Sequence, residues 1–166
     1  MFSWSSLGDV AEGRPQLGAL VPVEVYRLLK FTLRDVLLSE YDSAKVDDIY
    51  ARAGRLAGQH LARNWLEIDQ SIEDFLDELG EKLLELRIGI MGVEKLDRDT
   101  MSMVLTMAED LDCSGLPSSG ETVCAFDEGL IAGALEEFTG DEFIVKELDC
   151  WANGARICRF AVYQLT

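Results

Sequence analysis

Three stretches of the chain repeat apolar residues at the three- and four-residue spacing of an amphipathic helix. They cover residues 22–38, 43–65 and 72–86. Residues that can cap a helix start precede the last two stretches, namely Asp42 or Ser43 and then Ser71. The pattern therefore predicts three successive helices in the first half of the chain.

The spacing changes to two after the third helix, which is typical of half-buried strands. Apolar residues alternate over 88–93 and again over 101–107, so we predict an antiparallel hairpin with its turn around 96–100. A loop rich in Gly, Pro, Ser and Asp follows at 109–120. Beyond it we predict a short helix at 126–138, a strand from Phe143, a tight turn at Asn153-Gly154 and a strand at 157–165.

These elements predict an α+β fold. N-terminal helices pack on an antiparallel sheet, and a C-terminal helix plus β-hairpin is closed by a cysteine-rich clasp. A chain of 166 residues can bury one hydrophobic core, so we expect a single domain. Within it we expect an extended lead-in over residues 1–20, a helical part with the first hairpin over 21–100, and a C-terminal core over 101–166.

Small residues recur in two of the predicted helices. Gly54 and Gly58 are four residues apart on one helical face, and the later helix contains Gly129 and Gly133. A glycine inside a helix costs about 1 kcal/mol relative to alanine. We therefore expect another backbone to pack closely against these faces and to compensate for that cost.

Acidic residues outnumber basic residues by 31 to 15, which gives a formal net charge of −16. Such a charge repels nucleic acids and anionic lipid surfaces, so we expect neither as a partner. No apolar run approaches the about 20 residues of a membrane span, and the first residues lack the pattern of a signal peptide. We therefore expect an acidic cytoplasmic protein, whose four cysteines are thiols or metal ligands rather than disulfides.

Three cysteines surround the last predicted helix and hairpin. Cys150 and Cys158 flank the predicted tight turn, and Cys124 precedes the helix that must pack back on the sheet. Glu147 lies three residues before Cys150, so in a straight strand the two side chains would point to opposite faces. A bulge near Asp149 is needed for Glu147 to join the thiols.

These side chains suit zinc, which accepts three thiolates together with a carboxylate or a fourth thiolate. The candidate ligands are Cys124, Glu147, Cys150 and Cys158, and Cys113 is the alternative fourth ligand. The chain has no Cys-x-x-Cys pair, so separate buried thiols are the other interpretation of the spacing.

A row of flexible apolar side chains marks a second candidate site. Methionines at 101, 103 and 107 share one strand face, and thioethers line adaptable apolar pockets. Ordinary core positions of a half-buried strand are the alternative. The candidate lining of a ligand cavity is Leu29, Phe75, Leu79, Met101, Met103, Leu105 and Val145.

The C-terminal part of the chain carries several ordered motifs. They include Cys113-Ser114-Gly115-Leu116-Pro117, Gly120-Glu121-Thr122-Val123-Cys124, Thr139-Gly140, Glu147-Leu148-Asp149-Cys150-Trp151-Ala152-Asn153-Gly154 and Cys158-Arg159-Phe160. With these motifs the chain resembles the 4-vinyl reductase domain family, also called the hydrocarbon-binding domain. The segment 13–18 and the helices after it are similar to the N-terminal part of stand-alone members.

This resemblance implies a small-molecule-binding fold related to haem-based nitric-oxide sensors and to vesicle-tethering subunits. In related sensors of aromatic compounds, three cysteines and a glutamate hold zinc, and these positions correspond to the four candidate ligands above. Four protein ligands leave no open position, so the implied zinc is structural. Phe75 and Met103 stand where phenol sensors use a histidine and a tryptophan, which favours a more apolar ligand.

Catalysis has little support in the sequence. The chain has no Ser-His-acid set, no Gly-rich phosphate loop and no nicotinamide or flavin motif, so we do not expect an enzyme despite the family's name. The only histidine, His60, lies in a helix of small residues without the motif of a haem site. We expect it to be a partly buried, hydrogen-bonded side chain, and we expect no haem.

Two functions follow as hypotheses. The first is a domain that binds or senses a small hydrophobic molecule, carries a structural zinc site and acts through an unknown output protein. The second is a homodimeric adaptor or assembly subunit that uses the first helix, including Tyr26, Leu33 and Leu37. An accessory protein of a tetrapyrrole pathway is a further alternative.

Overall fold

The computed structural model describes residues 2–165, which fall into two compact units within Met1–Tyr41 and Asp42–Thr166. The first unit contains a 3₁₀ turn at Trp4–Leu7, a single-turn helix α1 at Val10–Gly13 and helix α2 at Val23–Leu38. The first 20 residues are therefore not wholly extended, because the Asp9 carboxylate caps α1 by accepting the Glu12 N–H at 2.9 Å. The single domain stays a prediction.

The second unit has the predicted α+β fold. Its elements are α3 Ser43–Trp65, α4 Ile72–Glu85, β1 Ile90–Asp97, β2 Ser102–Ala108, α5 Ala125–Thr139, β3 Phe143–Asp149 and β4 Cys158–Gln164. The four strands form one antiparallel sheet in the order β1-β2-β4-β3. Both predicted hairpins are present, and the pairing of β2 with β4 joins them.

Local capping explains where the helices of this unit begin and end. The Asp42 carboxylate accepts the N–H of Lys45 at 2.8 Å. The Ser71 hydroxyl accepts the N–H of Asp74 at 3.1 Å and donates to the Asp74 carboxylate at 2.6 Å. Gly140 ends α5 in the left-handed conformation, with φ 81°. These three helix ends confirm the predicted ones.

One face of the sheet carries the hydrophobic core. On β2, Met103, Leu105 and Met107 are buried and alternate with half-buried residues. Fully buried side chains of α4 and α5 pack in the same core: Phe75, Leu76, Leu79, Leu83, Ile131 and Leu135. The predicted apolar face of α4 is thereby confirmed.

Helices α3 and α5 cross with their backbones in direct contact. A Cβ atom built on Gly54, Gly58, Gly129 or Gly133 would lie closer than 3.0 Å to backbone atoms of the other helix. Ion pairs border this crossing: Arg55 with Glu136, and Arg63 with Glu137. The close approach of a second backbone, predicted from the small residues, is confirmed.

Helix α2 exposes a row of apolar side chains. Val25, Leu29, Leu33 and Val36 lie on one face of the helix and are 47–69% exposed. Across residues 2–165, no helix combines the length and the apolar composition needed to span a bilayer. The exposed row is therefore a feature of an amphipathic surface helix.

Candidate metal centre

Four buried cysteines meet at one end of the sheet. Cys113 comes from the loop after β2, Cys124 stands at the N-terminus of α5, Cys150 follows β3, and Cys158 begins β4. Their sulfur atoms lie within 4.8 Å of one another. The structure thus brings together the three cysteines that the sequence placed around the last helix and hairpin, and it adds Cys113 to the same group.

The distances between the sulfur atoms suit metal binding better than a disulfide. Cys113 Sγ lies 3.1 Å from Cys158 Sγ, and Cys124 Sγ lies 3.8 Å from Cys150 Sγ and 4.0 Å from Cys158 Sγ. The sulfur atoms of a disulfide are about 2.05 Å apart. Tetrahedral zinc with bonds of about 2.3 Å separates its sulfur ligands by about 3.8 Å. The four thiols are free and could hold one metal ion.

A β-bulge places Glu147 beside the cysteines. The pairing of β3 with β4 shifts between Glu147 and Asp149, where the sequence predicted a bulge. Glu147 Oε2 accepts the N–H of Cys124 at 3.1 Å, while Oε1 is buried without a hydrogen bond. Arg159 stabilises the bulge by donating to Asp149 Oδ2 at 2.8 Å and to both carboxylate oxygens of Glu94 at 2.7 Å.

Burial changes the acidity of the groups around the cluster. It raises the pKa of Glu147 to about 8. Burial and the nearby charge of Asp112 raise the pKa of Asp110 to about 6. Hydrogen bonding with Cys113 is the largest cause that lowers the pKa of Cys150 far below its usual range. Cys150 is therefore the thiol that ionises most readily and can first attract a cation.

The loop that carries Cys113 is held by its own hydrogen bonds. Asp110 Oδ1 accepts the N–H of Asp112 at 2.8 Å and that of Cys113 at 3.0 Å. Trp151 Nε1 donates to the Leu116 carbonyl at 3.1 Å. The loop is thereby attached to the connection between β3 and β4, which contains a 3₁₀ turn in place of the predicted tight turn.

Two buried carboxylates extend the cluster on one side. Oxygen atoms of Asp110 and Asp127 and the sulfur of Cys124 form a second group whose potential ligand atoms lie within 4.8 Å of one another. Asp110 Oδ1 is 3.8 Å from Cys124 Sγ. Sequence reasoning missed both acids, because Asp110 lies in an irregular loop and Asp127 has the sequence position of an ordinary first-turn helix acid. Their negative charge favours a cation in the cysteine cluster.

Most of the predicted cavity-lining residues lie together in the core. The buried ones are Phe75, Leu79, Met103, Leu105 and Val145. The rings of Phe75 and Phe138 stack with their centroids 4.2 Å apart. Met101 is half-buried in the turn before β2, with φ 47°, and Leu29 belongs to the first unit and is 69% exposed. The ligand-binding role of all seven residues stays a prediction.

A groove of about 290 Å³ opens between α4 and β1. Its lining combines apolar residues with two acids: Leu76, Asp77, Gly80, Glu81, Leu84, Ile90, Met91, Gly92 and Val93. Sequence reasoning did not find this groove. Residue spacing shows which face of a helix is apolar, but it does not show how far the helix stands from a neighbouring strand.

Residues 103–164 match the family model of the vinyl-4-reductase domain. They form a vinyl-4-reductase domain. This segment contains β2, α5, β3 and β4 together with all four clustered cysteines and Glu147. The resemblance to the 4-vinyl reductase domain, found in the cysteine and glycine motifs of the sequence, is thereby confirmed.

The likeness to known proteins extends beyond the vinyl-4-reductase segment. An uncharacterised protein of Methanocaldococcus jannaschii is 27% identical over 146 residues, which cover 88% of this chain and 78% of the relative. The crystal structure of a vinyl-4-reductase family protein from the same organism matches with a TM-score of 0.62 at 19% identity, over 90% of this chain and 85% of that chain. The phenol-responsive sensory domain of the transcription activator PoxR, crystallised with phenol, matches with a TM-score of 0.70 at 14% identity, over 88% and 76%.

Two further structures share the fold. Trafficking protein particle complex subunit 3 from Naegleria fowleri, covalently bound to palmitic acid, matches with a TM-score of 0.68 at 16% identity, over 87% of this chain and 95% of that chain. An H-NOX protein from S. oneidensis matches with a TM-score of 0.55 at 15% identity, over 98% and 87%. The expected relation in fold to tethering subunits and haem-based sensors is confirmed.

Proposed function

We propose that this vinyl-4-reductase-domain protein binds or senses a small hydrophobic molecule, and that zinc in the four-cysteine cluster stabilises its binding domain. The buried four-thiol cluster within the family segment carries this proposal. Support also comes from a fold shared with a sensory domain crystallised with phenol and with a subunit bound to palmitic acid. The proposed domain binds its ligand without transforming it.

Zinc fits the cluster because thiolates are its preferred ligands in closed tetrahedral sites. Four sulfur atoms would fill the coordination shell, so the ion would have a structural role. It would join the loop of Cys113, the start of α5 and the two strands of the last hairpin. Zinc supplies binding energy that would add to the stability of this part of the fold.

The proposed ligand site is the apolar interior between α4, α5 and the sheet. Phe75 and Met103 contribute no hydroxyl, amide or charged group there, so an apolar molecule is a better match than a phenol. Methionine is flexible and can move to admit such a molecule. The groove between α4 and β1 lies on the neighbouring flank of α4 and is the competing location.

Ligand binding is expected to raise the melting temperature, because a ligand at 100 times its Kd adds about 2.7 kcal/mol to the unfolding free energy. A thermal-shift screen with naphthalene, indole, phenol and palmitate would measure this effect. We expect the most apolar compounds to give the largest shifts. Native mass spectrometry of the freshly purified protein would identify any molecule already bound.

Two matched substitutions locate the ligand. Met103→Phe enlarges a side chain of the interior and is expected to abolish the thermal shift, whereas Met91→Phe enlarges one of the groove and should leave it unchanged. The opposite pattern would place the ligand in the groove. Absence of a shift with every compound, together with no co-purifying molecule, would contradict the proposed function.

A homodimeric adaptor or assembly subunit is the second candidate function. It is favoured by the apolar row on α2, which centres on Leu29 and Val36. Tyr26 and Leu37, which the sequence placed on the dimer face, are half-buried. A second copy of the chain offers the same apolar row, and a two-fold pair is the commonest arrangement of identical chains.

Leu29→Glu is expected to convert such a dimer into monomers, because it introduces a charge into the centre of the apolar row. Light scattering coupled to size-exclusion chromatography at micromolar concentration would measure the mass. Leu56→Glu is the matched control, since Leu56 on α3 is also about half exposed, at 52%. A wild-type protein that is monomeric at this concentration would exclude the dimer.

A further inference from the structure

The cysteine cluster contains one donor more than a tetrahedral ion can use. Four sulfur atoms lie within 4.8 Å of one another, and the carboxylate of Glu147 lies against them. Its carboxyl group interacts with the thiols of Cys124 and Cys150. A four-coordinate metal therefore leaves one of the five side chains outside its coordination shell.

Cys113 is the thiol whose backbone is least constrained. Cys124 stands at the start of a 15-residue helix, and Cys158 begins a strand that pairs on both sides. Cys150 directly follows β3. Cys113, by contrast, lies in the irregular segment between β2 and α5, where hydrogen bonds to Asp110 hold it. Movement of this segment would withdraw Cys113 without disturbing the other three thiols.

Glu147 is placed to fill the position that Cys113 would leave. Oε2 already accepts the Cys124 N–H, while Oε1 is buried and has no hydrogen-bond partner. A buried carboxylate oxygen without a partner is costly, and metal binding would satisfy it. The bulge after Glu147 keeps this side chain on the side of the thiols.

The exchange would also preserve the charge of the centre. A thiolate and a carboxylate each carry one negative charge, so replacing one by the other leaves the total unchanged. This matters because Asp110 and Asp127 are buried beside Cys124, with 1% and 3% exposure. A neutral replacement ligand would change the net charge in a poorly solvated region.

We propose that Glu147 is a reserve metal ligand that takes the coordination position of Cys113 when this thiol is removed. The inference rests on the proposed zinc site. It means that the segment between β2 and α5 can leave the centre while the ion stays bound. The position of that segment is thereby separated from metal retention.

The test compares the wild-type protein with Cys113→Ala, Glu147→Gln and the double variant, each purified with equal zinc. Metal analysis measures the zinc content. X-ray absorption at the zinc edge distinguishes zinc–sulfur bonds of about 2.3 Å from zinc–oxygen bonds of about 2.0–2.2 Å. A glutamine at this position would still accept the Cys124 N–H, so Glu147→Gln removes the charged ligand with little change in shape. Cys113→Ser is the alternative variant if Cys113→Ala does not fold.

We expect about one zinc in the wild type and in Glu147→Gln, each with four sulfur ligands. Cys113→Ala should retain the ion with three sulfur ligands and one oxygen ligand, and the double variant should lose most of it. Zinc in the wild type but not in Cys113→Ala would overturn the reserve role alone. Equal zinc in Cys113→Ala and the double variant would also overturn it, because water would then supply the oxygen. No zinc in the wild type would overturn the proposed zinc site, and the reserve role with it.

Discussion

A variant with both Cys150→Ser and Cys158→Ser is expected to lose the metal and at least about 4 kcal/mol of unfolding free energy. The remaining donors, Cys113, Cys124 and Glu147, are too few for a tetrahedral zinc site. The loss would release the loop before α5, the start of α5 and the last hairpin from one another. Elemental analysis for zinc and equilibrium unfolding in urea would measure the two effects.

Chelation provides the matched comparison for this variant. A strong zinc chelator should lower the stability of the wild type towards that of the double variant and should leave the variant unchanged, because only the wild type has an ion to lose. Equal urea midpoints for both proteins, with no zinc in the wild type, would mean that the four cysteines are ordinary buried thiols.

Gly129→Ala is expected to destabilise the protein by about 3 kcal/mol or more, although alanine is the better helix former. The new Cβ atom would collide with the Ala51 carbonyl group and the Arg55 nitrogen, which are backbone atoms of α3. Backbone atoms cannot rotate away as a side chain can. The two helices would have to separate, and contacts along the whole crossing would weaken.

Gly80→Ala is the control for this substitution. Gly80 also lies inside a helix, but the nearest atom to its Cβ position is the terminal methyl group of Met91 at 3.6 Å, an ordinary contact. We expect this variant to be unchanged or up to about 1 kcal/mol more stable. If thermal unfolding showed both variants to be equally stable, the close α3–α5 crossing would be wrong.

The elements of the fold were largely predictable because their signals are local. The cap residues Asp42 and Ser71 mark helix starts, and alternation over 101–107 marks β2. The close helix crossing was also predictable in kind, since glycines such as Gly54 and Gly58 lower helix stability unless another contact requires them. Which helix packs there was not predictable, because α5 lies far away in the sequence.

The metal centre was predictable only where helix and hairpin geometry determine it. Cys150 and Cys158 approach because their strands pair, and the need to turn Glu147 inward indicated a bulge. The position of Cys113 depends on hydrogen bonds of an irregular loop, such as the one that Asp110 accepts, which leave no periodic signal. The shape of the interior likewise depends on packing, such as the stacking of Phe75.

The α3–α5 crossing also orders events during synthesis of the chain. Helix α3 is complete once Trp65 has been made, but the helix that fits its row of glycines begins only at Ala125. Chains emerge from the ribosome with the N-terminus first. Helix α3 must therefore wait through the synthesis of α4, β1 and β2 before its backbone surface is covered. A nascent chain arrested before α5 would expose this surface, where chaperones or premature association would act first.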